Sequence, residues 1–202
     1  GALAASAQAP VRIEGVGANL IYAYYEAGGN VSAAEADYID LADVEAIRAR
    51  LGPMAAAVSG VMTAWDSATV EGRPRQFRVL GANADYRRVR NLRLLAGRFF
   101  DDLEVEERKK VVLLTPRLAE EMFGGAEAAV GRAMKIQGLD FRVIGVFEEG
   151  VDTFGQSEVG SSSALVPIAV LRYFAPVERV DPLYVSVRSA EDVEPAKRAI
   201  LE

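Results

Sequence analysis

The chain has 202 residues, half of them hydrophobic and 26% charged, enough for one large domain or two small ones with cores of their own. Its 23 basic and 29 acidic side chains give a formal charge of −6 and a pI near 4.9, a balance that repels nucleic-acid phosphates and offers no broad pull towards anionic lipid. There is no cysteine and no histidine. That removes disulfides, thiolate nucleophiles, a Ser-His-Asp triad and the usual neutral-pH base. No run of about 18 apolar residues is present to cross a bilayer.

Residues 1–14 are alanine-rich and broken by Pro10, so one continuous helix is not expected, and 1–18 reads as a lead-in. Asn19 to Tyr25 reads as a strand and the segment around Gly28-Gly29-Asn30 as a loop. Asp40 is placed to cap a helix whose Leu41, Val44, Ile47 and Leu51 share a face, and Gly52-Pro53 stops it. Met54 to Trp65 reads as a long apolar strand with a bulge or bend at Gly60. Glu71-Gly72 then turns a hairpin that returns through Gln76 to Gly81, and Ala84 to Asn91 reads as a short helix or turn. Trp65, Tyr22, Tyr24 and Tyr25 are expected in the core or in cross-strand pairs, because strand aromatics usually pack.

Asp101, Asp102, Glu104, Glu106 and Glu107 form an acidic run. A hard-cation site needs oxygen ligands around a tight turn, usually with a glycine. Here Arg108-Lys109-Lys110 follow at once, so the run reads as a solvated face and no metal ligand is assigned. Val111 to Leu114 reads as a buried strand, Thr115 as a hydroxyl cap and Pro116 as the first helical residue. Leu118, Ala119, Met122 and Phe123 share the helix face, and Gly124-Gly125 ends it. Neither glycine pair carries the Lys-Ser/Thr of a phosphate cradle, so no cofactor site is assigned.

Arg132 to Ile136 and Phe141 to Phe147 read as a ribbon turning at Gly138. Residues 150–163 form a Gly/Ser-rich loop in which Phe154 is the candidate partner contact, an apolar anchor in a polar setting. Ala164 to Pro167 reads as a strand, Ile168 to Phe174 as a helix and Leu183 to Val187 as a strand. Ser189 or Asp192 caps a last helix, with Pro195 favouring the later start and Val193, Ala196 and Ile200 on its apolar side.

This order implies an α+β fold with two subdomains. A split α/β unit is built from both chain ends, 19–83 and 164–202, and a mixed α/β unit, 84–163, is inserted between them. The order Gly97-Arg98-Phe99-Phe100, Glu121-Met122-Phe123-Gly124, Val130-Gly131 and Phe141-Arg142-Val143-Ile144-Gly145-Val146 resembles the periplasmic core domain of MacB-type ABC transporter permeases, in the FtsX-like permease group. Flanking segments extend the resemblance over residues 15–202: Gly17 to Ile21, Leu41 to Ile47, Ala84-Asp85-Tyr86 and Val166-Pro167.

The resemblance implies a Porter-like split unit and a Sabre-like insertion, with membrane helices just outside both ends. It implies a non-enzymatic, cofactor-free domain on the extracytoplasmic (periplasmic) face of the bacterial inner membrane. Its implied partners are a second permease, a cytoplasmic ATPase subunit or domain, and a periplasmic adaptor or membrane fusion protein. Its role would be to transmit ATP-driven motion in export, efflux or lipoprotein release. The alternative is a periplasmic binding module with a ligand pocket between subdomains. A carboxylate-dependent hydrolase is a further alternative that no spacing supports.

Overall fold

A computed structural model describes residues 11–16, 19–25, 39–150, 157–175 and 178–201. Its strands are β1 (Val11–Val16), β2 (Leu20–Tyr25), β3 (Ala55–Val70), β4 (Arg73–Ala82), β5 (Arg93–Gly97), β6 (Val111–Leu114), β7 (Ala133–Ile136), β8 (Leu139–Glu148), β9 (Ser163–Pro167) and β10 (Leu183–Val187). Its helices are α1 (Leu41–Leu51), α2 (Tyr86–Val89), α3 (Asp102–Glu106), α4 (Pro116–Phe123), α5 (Ala126–Ala129) and α6 (Val193–Leu201), with short 3-10 turns at Gly52–Met54, Ile168–Tyr173 and Ala190–Asp192. The fold is α+β with mixed strand pairing, as the element order implied. By compactness the chain divides into Gly1–Met62 with Pro176–Glu202, and Thr63–Ala175.

In the first unit the strands run β1-β2-β10-β3, every pair antiparallel. The register sets Val185 opposite Ile21 and Val58, and Leu183 opposite Ala23, so these buried residues share one face. Helix α1 buries Val44, Ile47 and Leu51, and α6 buries Ala196 and Ile200; the two helices pack together, and α6 also packs on β2. Asp40 starts α1 with a reciprocal cap. Its carboxylate accepts from Asp43 N at 2.8 Å and the Asp43 carboxylate accepts from Asp40 N at 3.0 Å. Arg48 Nη2 donates to Val58 O at 2.9 Å, tying α1 to β3.

Three expectations change here. Val11–Val16, read as part of a lead-in, is a strand that β2 pairs over its whole length. β3 is not bulged at Gly60, which pairs with Leu183. Its register shifts instead between Ala55 and Ala57, opposite Ser186 and Val187. β3 also continues past Trp65 to Val70, because its second half pairs with β4 beyond the Glu71-Gly72 turn, where both residues take positive φ (51 and 77).

In the second unit β4 pairs in parallel with β9, β9 antiparallel with β6, β6 in parallel with β8, and β8 antiparallel with β5 and β7. Parallel neighbours bury both faces of a strand, which is why Val112, Leu113 and Leu114 are all buried and read as an unbroken apolar run. β4 and β9, which the sequence division set with the chain ends, lie in this unit, where they pair with each other and β9 pairs with β6. Strand β5 and helices α3 and α5 had no counterpart in the expected elements. The helix expected from Ile168 is a 3-10 helix, Ile168–Tyr173, with Ile168 and Leu171 buried.

Helix α4 begins at Thr115-Pro116 and ends at Gly124 as expected, with Leu118 and Ala119 buried and Met122 and Phe123 half-buried. Thr115, however, does not cap it through the hydroxyl. Thr115 Oγ1 donates to Ser163 O at 3.3 Å and accepts from Ser163 N at 2.9 Å, so it is spent on joining β6 to β9. Gly97 sits at φ 72, and a Cβ there would lie 2.0 Å from Ile144 O, so β5 turns into Arg98 only with glycine at that position.

Candidate functional site

Trp65, expected in the core, is 56% exposed. It stands on the half of β3 that alternates between exposed and half-buried positions, and it walls a cleft of about 380 Å³. Strand β4 supplies Pro74, Arg75, Gln76 and Arg78. Helix α4 supplies Arg117 and Glu121, and the segment leading into β9 supplies Gly160, Ser161 and Ser162.

Arg78 is the fixed point of this cleft. Its backbone N donates to Ser162 O at 3.1 Å, which follows from its register opposite Ser163. Its Nη1 donates to the carbonyls of Glu158 at 2.7 Å and Ser157 at 3.3 Å. Its guanidinium carbon lies 5.3 Å from the Trp65 ring centroid, a cation–π arrangement. Gly160 holds φ 65 with its missing Cβ 3.3 Å from Arg78 Nη1, so the chain passes close beside the guanidinium. Arg117 Nε donates to Glu121 Oε1 at 3.0 Å across one helical turn. Trp65 is anchored from behind: its carbonyl accepts from Gln137 Nε2 at 2.7 Å, and Asp66 Oδ2 accepts from Gln137 N at 2.7 Å.

The carbonyls that hold Arg78 belong to a segment clamped by a buried ionic cluster. The Arg90 side chain is 2% exposed and meets Glu149 at 2.7 Å and Glu158 at 3.2 Å. Ser157 Oγ donates to Glu149 at 2.6 Å, and the Tyr86 hydroxyl donates to Glu158 through a short hydrogen bond. One buried cation thus positions residues 157–158, which in turn position Arg78. The cleft is therefore preorganised from the core outward.

The other predicted site residues fall elsewhere. Phe154 lies outside the described residues. Asp101 and Glu104 form a reciprocal cap on α3, and Arg98 grips Glu104 through two nitrogens at 2.7 and 3.1 Å. That hydrogen-bonded pairing, ahead of the opposing effect of burial, holds the Glu104 carboxyl below its ordinary range. Among the described residues no group of three or more acidic side chains is placed to hold a metal. Tyr22 and Tyr24 stack with centroids 5.1 Å apart, both hydroxyls donating to Glu14 at 3.0 Å; burial and then Glu14 push the Tyr22 pKa up to about 12. The Tyr25 side chain lies outside the described residues. Arg75, Arg78 and Arg117 were missed by the sequence reading. The signal that could have found two of them is the run Arg73-Pro74-Arg75-Gln76-Phe77-Arg78, a basic strand in an acidic chain. No helix among the described residues is long and apolar enough to cross a membrane.

The fold has known counterparts. It matches the periplasmic region of MacB from Actinobacillus actinomycetemcomitans with a TM-score of 0.73 over 92% of this chain and 82% of that one, at 16% identity. It also matches the extracellular domain of the noncanonic ABC-type transporter YknZ from Gram-positive bacteria, with a TM-score of 0.63 over 78% and 77% of the two chains at 20% identity. At those identities the likeness is one of fold. Sequence relatives include the macrolide export ATP-binding/permease proteins MacB of Chlorobaculum tepidum, 33% identical over 60% of this chain, and of Rhodospirillum rubrum, 28% identical over 78%. The chain covers only 18% and 24% of those two proteins. The ordered motifs around Gly97, Phe123 and Phe141 therefore sit in a shared fold, and the family profile matches residues 3–202: the chain belongs to the MacB-like periplasmic core domain family.

Proposed function

We propose that this chain is the extracytoplasmic part of an ABC transporter permease of the MacB type, and that it acts in export as a mechanical and contact element rather than as a catalyst. The observation that carries this reading is the family match across residues 3–202. On this reading the first unit corresponds to the Porter-like subdomain and the second to the Sabre-like one. ATP is hydrolysed by a cytoplasmic ATPase subunit or domain. A pair of permeases passes the movement through the membrane, and the periplasmic domains shift to push cargo or to engage an adaptor or membrane fusion protein. Such work needs stiffness and a shaped surface, and close-packed interiors supply the first because they compress little. A chain without histidine or cysteine is suited to that work, since it asks for no reactive group.

The same lack of cysteine gives a clean test. In the full-length permease with any cysteines outside this domain replaced, Ser67→Cys leaves a single reactive thiol at an exposed strand position. A membrane-impermeant maleimide should label it in intact spheroplasts. Labelling that requires lysis of the inner membrane would place the domain on the wrong side and end the proposal.

A further inference from the structure

We infer that the cleft walled by Trp65 docks an acidic segment of a partner protein. The inference deepens the contact role proposed above and rests on that reading for its setting.

The cleft is basic on a chain that is acidic overall. Arg75, Arg78 and Arg117 line it against the single carboxylate of Glu121, whereas the whole chain carries −6. Their donors are not used up. Among the described residues the Arg78 guanidinium donates through Nη1 alone, Arg117 engages Glu121 through Nε, and Arg75 makes no ion pair. A guanidinium fork matches a planar carboxylate, so carboxylate side chains are the chemistry these open edges select. Arg78 is already immobilised by the 157–158 carbonyls and the indole ring, so binding costs it little rotamer freedom.

Trp65 separates a protein segment from a small anion. An indole left 56% exposed beside three arginines is the residue combination that dominates the centres of protein interfaces. Pockets for small molecules are mostly apolar and enclose their ligands, whereas this cleft is broad-mouthed and lined by Arg, Gln, Glu and Ser. A short extended stretch of Asp and Glu carrying an apolar side chain for the indole fits both halves of the surface.

Trp65 is the sole tryptophan, so intrinsic emission of the 202-residue chain reports on this cleft directly. Titration with a hexaglutamate peptide should give a saturable change that weakens as salt is raised, and hexalysine should give none. The Arg75→Glu/Arg117→Glu double variant changes exposed side chains and leaves the Arg78 anchor intact. It should weaken hexaglutamate about tenfold or more with an unchanged circular dichroism spectrum. A change that does not saturate, or one that the double variant leaves untouched, overturns the inference. So does saturation by inorganic phosphate at the same concentration, which would mark a small-oxyanion site instead. Spheroplast labelling is read independently, so a failed titration beside successful labelling removes the acidic partner and leaves the transporter reading standing.

Discussion

Arg90 and Arg98 lie close together in the sequence, and each meets glutamate, yet the two regions they anchor work differently. Arg90 is 2% exposed and is shared between Glu149 and Glu158, which are 18% and 12% exposed. Arg98 is 57% exposed and grips one glutamate that also serves a helix cap. The first is an internal clamp that fixes the wall of the Trp65 cleft. The second trims the end of a short surface helix. A buried pair has to recover the cost of leaving water, so its value lies in the position it imposes, and breaking it is costly. An exposed pair recovers little and loses little.

The largest effect should come from breaking the clamp. Arg90→Met leaves Glu149 and Glu158 without their cation and should cost about 3–5 kcal/mol in urea unfolding. Adding Glu149→Gln and Glu158→Gln to that variant should return much of the loss. A cost below about 1 kcal/mol for Arg90→Met would erase the contrast between the two regions.

Gly97 adjoins the exposed pair and tests whether backbone rather than charge limits that region. A Cβ at this residue would strike Ile144 O at 2.0 Å and Gly145 Cα at 2.8 Å, at a φ of 72. Gly97→Ala should therefore cost about 3 kcal/mol, well above any charge change at Arg98, read from the same urea midpoints. An alanine that is tolerated would mean β5 can move off β8.

The smallest effect belongs to the exposed pair. Arg98→Ala should cost less than about 1 kcal/mol, and that cost should shrink in high salt. Its pH dependence has a definite sign. Glu104 is held below its ordinary range, first by the hydrogen bond from Arg98. Its folded value is thus lower than its unfolded one, so its contribution is complete above the unfolded value and is lost as pH falls through the folded one. Urea midpoints followed down through the carboxylate range should fall less steeply in Glu104→Gln than in the parent. An identical slope would show that the Arg98–Glu104 bond does not persist in solution.

Several elements were legible because their causes are local. Asp40 and Asp43 close their cap within one turn, and Pro116 opens α4 where no backbone donor is needed. The Gln137-Gly138 turn takes positive φ at both residues, as a two-residue hairpin requires. The Val111 to Leu114 run was legible because burial on both faces leaves no alternation to misread. The family itself was legible in the order of its motifs, and the profile match bears that out.

Elsewhere the deciding partner is remote. Thr115 precedes a helix and looks like a cap, but Ser163, 48 residues on, takes its hydroxyl. Val11–Val16 follows an alanine-rich stretch broken at Pro10 and was expected to share its lead-in, because nothing within it says that β2 will offer an edge. Trp65 was expected inside on aromatic preference, and nothing in its neighbours reveals that this half of β3 is left uncovered.

By itself the sequence determined the Glu71-Gly72 and Gln137-Gly138 turns, the Asp40 cap, the buried central strand and the family, because each is written in residues that act within a few positions of one another or in the order of short motifs. Only the tertiary structure decided which strands pair, where Trp65 points, and that Arg90 joins glutamates 59 and 68 residues away to steady Arg78. The physical reason is that ion pairs and strand edges gain their energy from whichever group the fold brings near, and sequence distance does not measure that nearness.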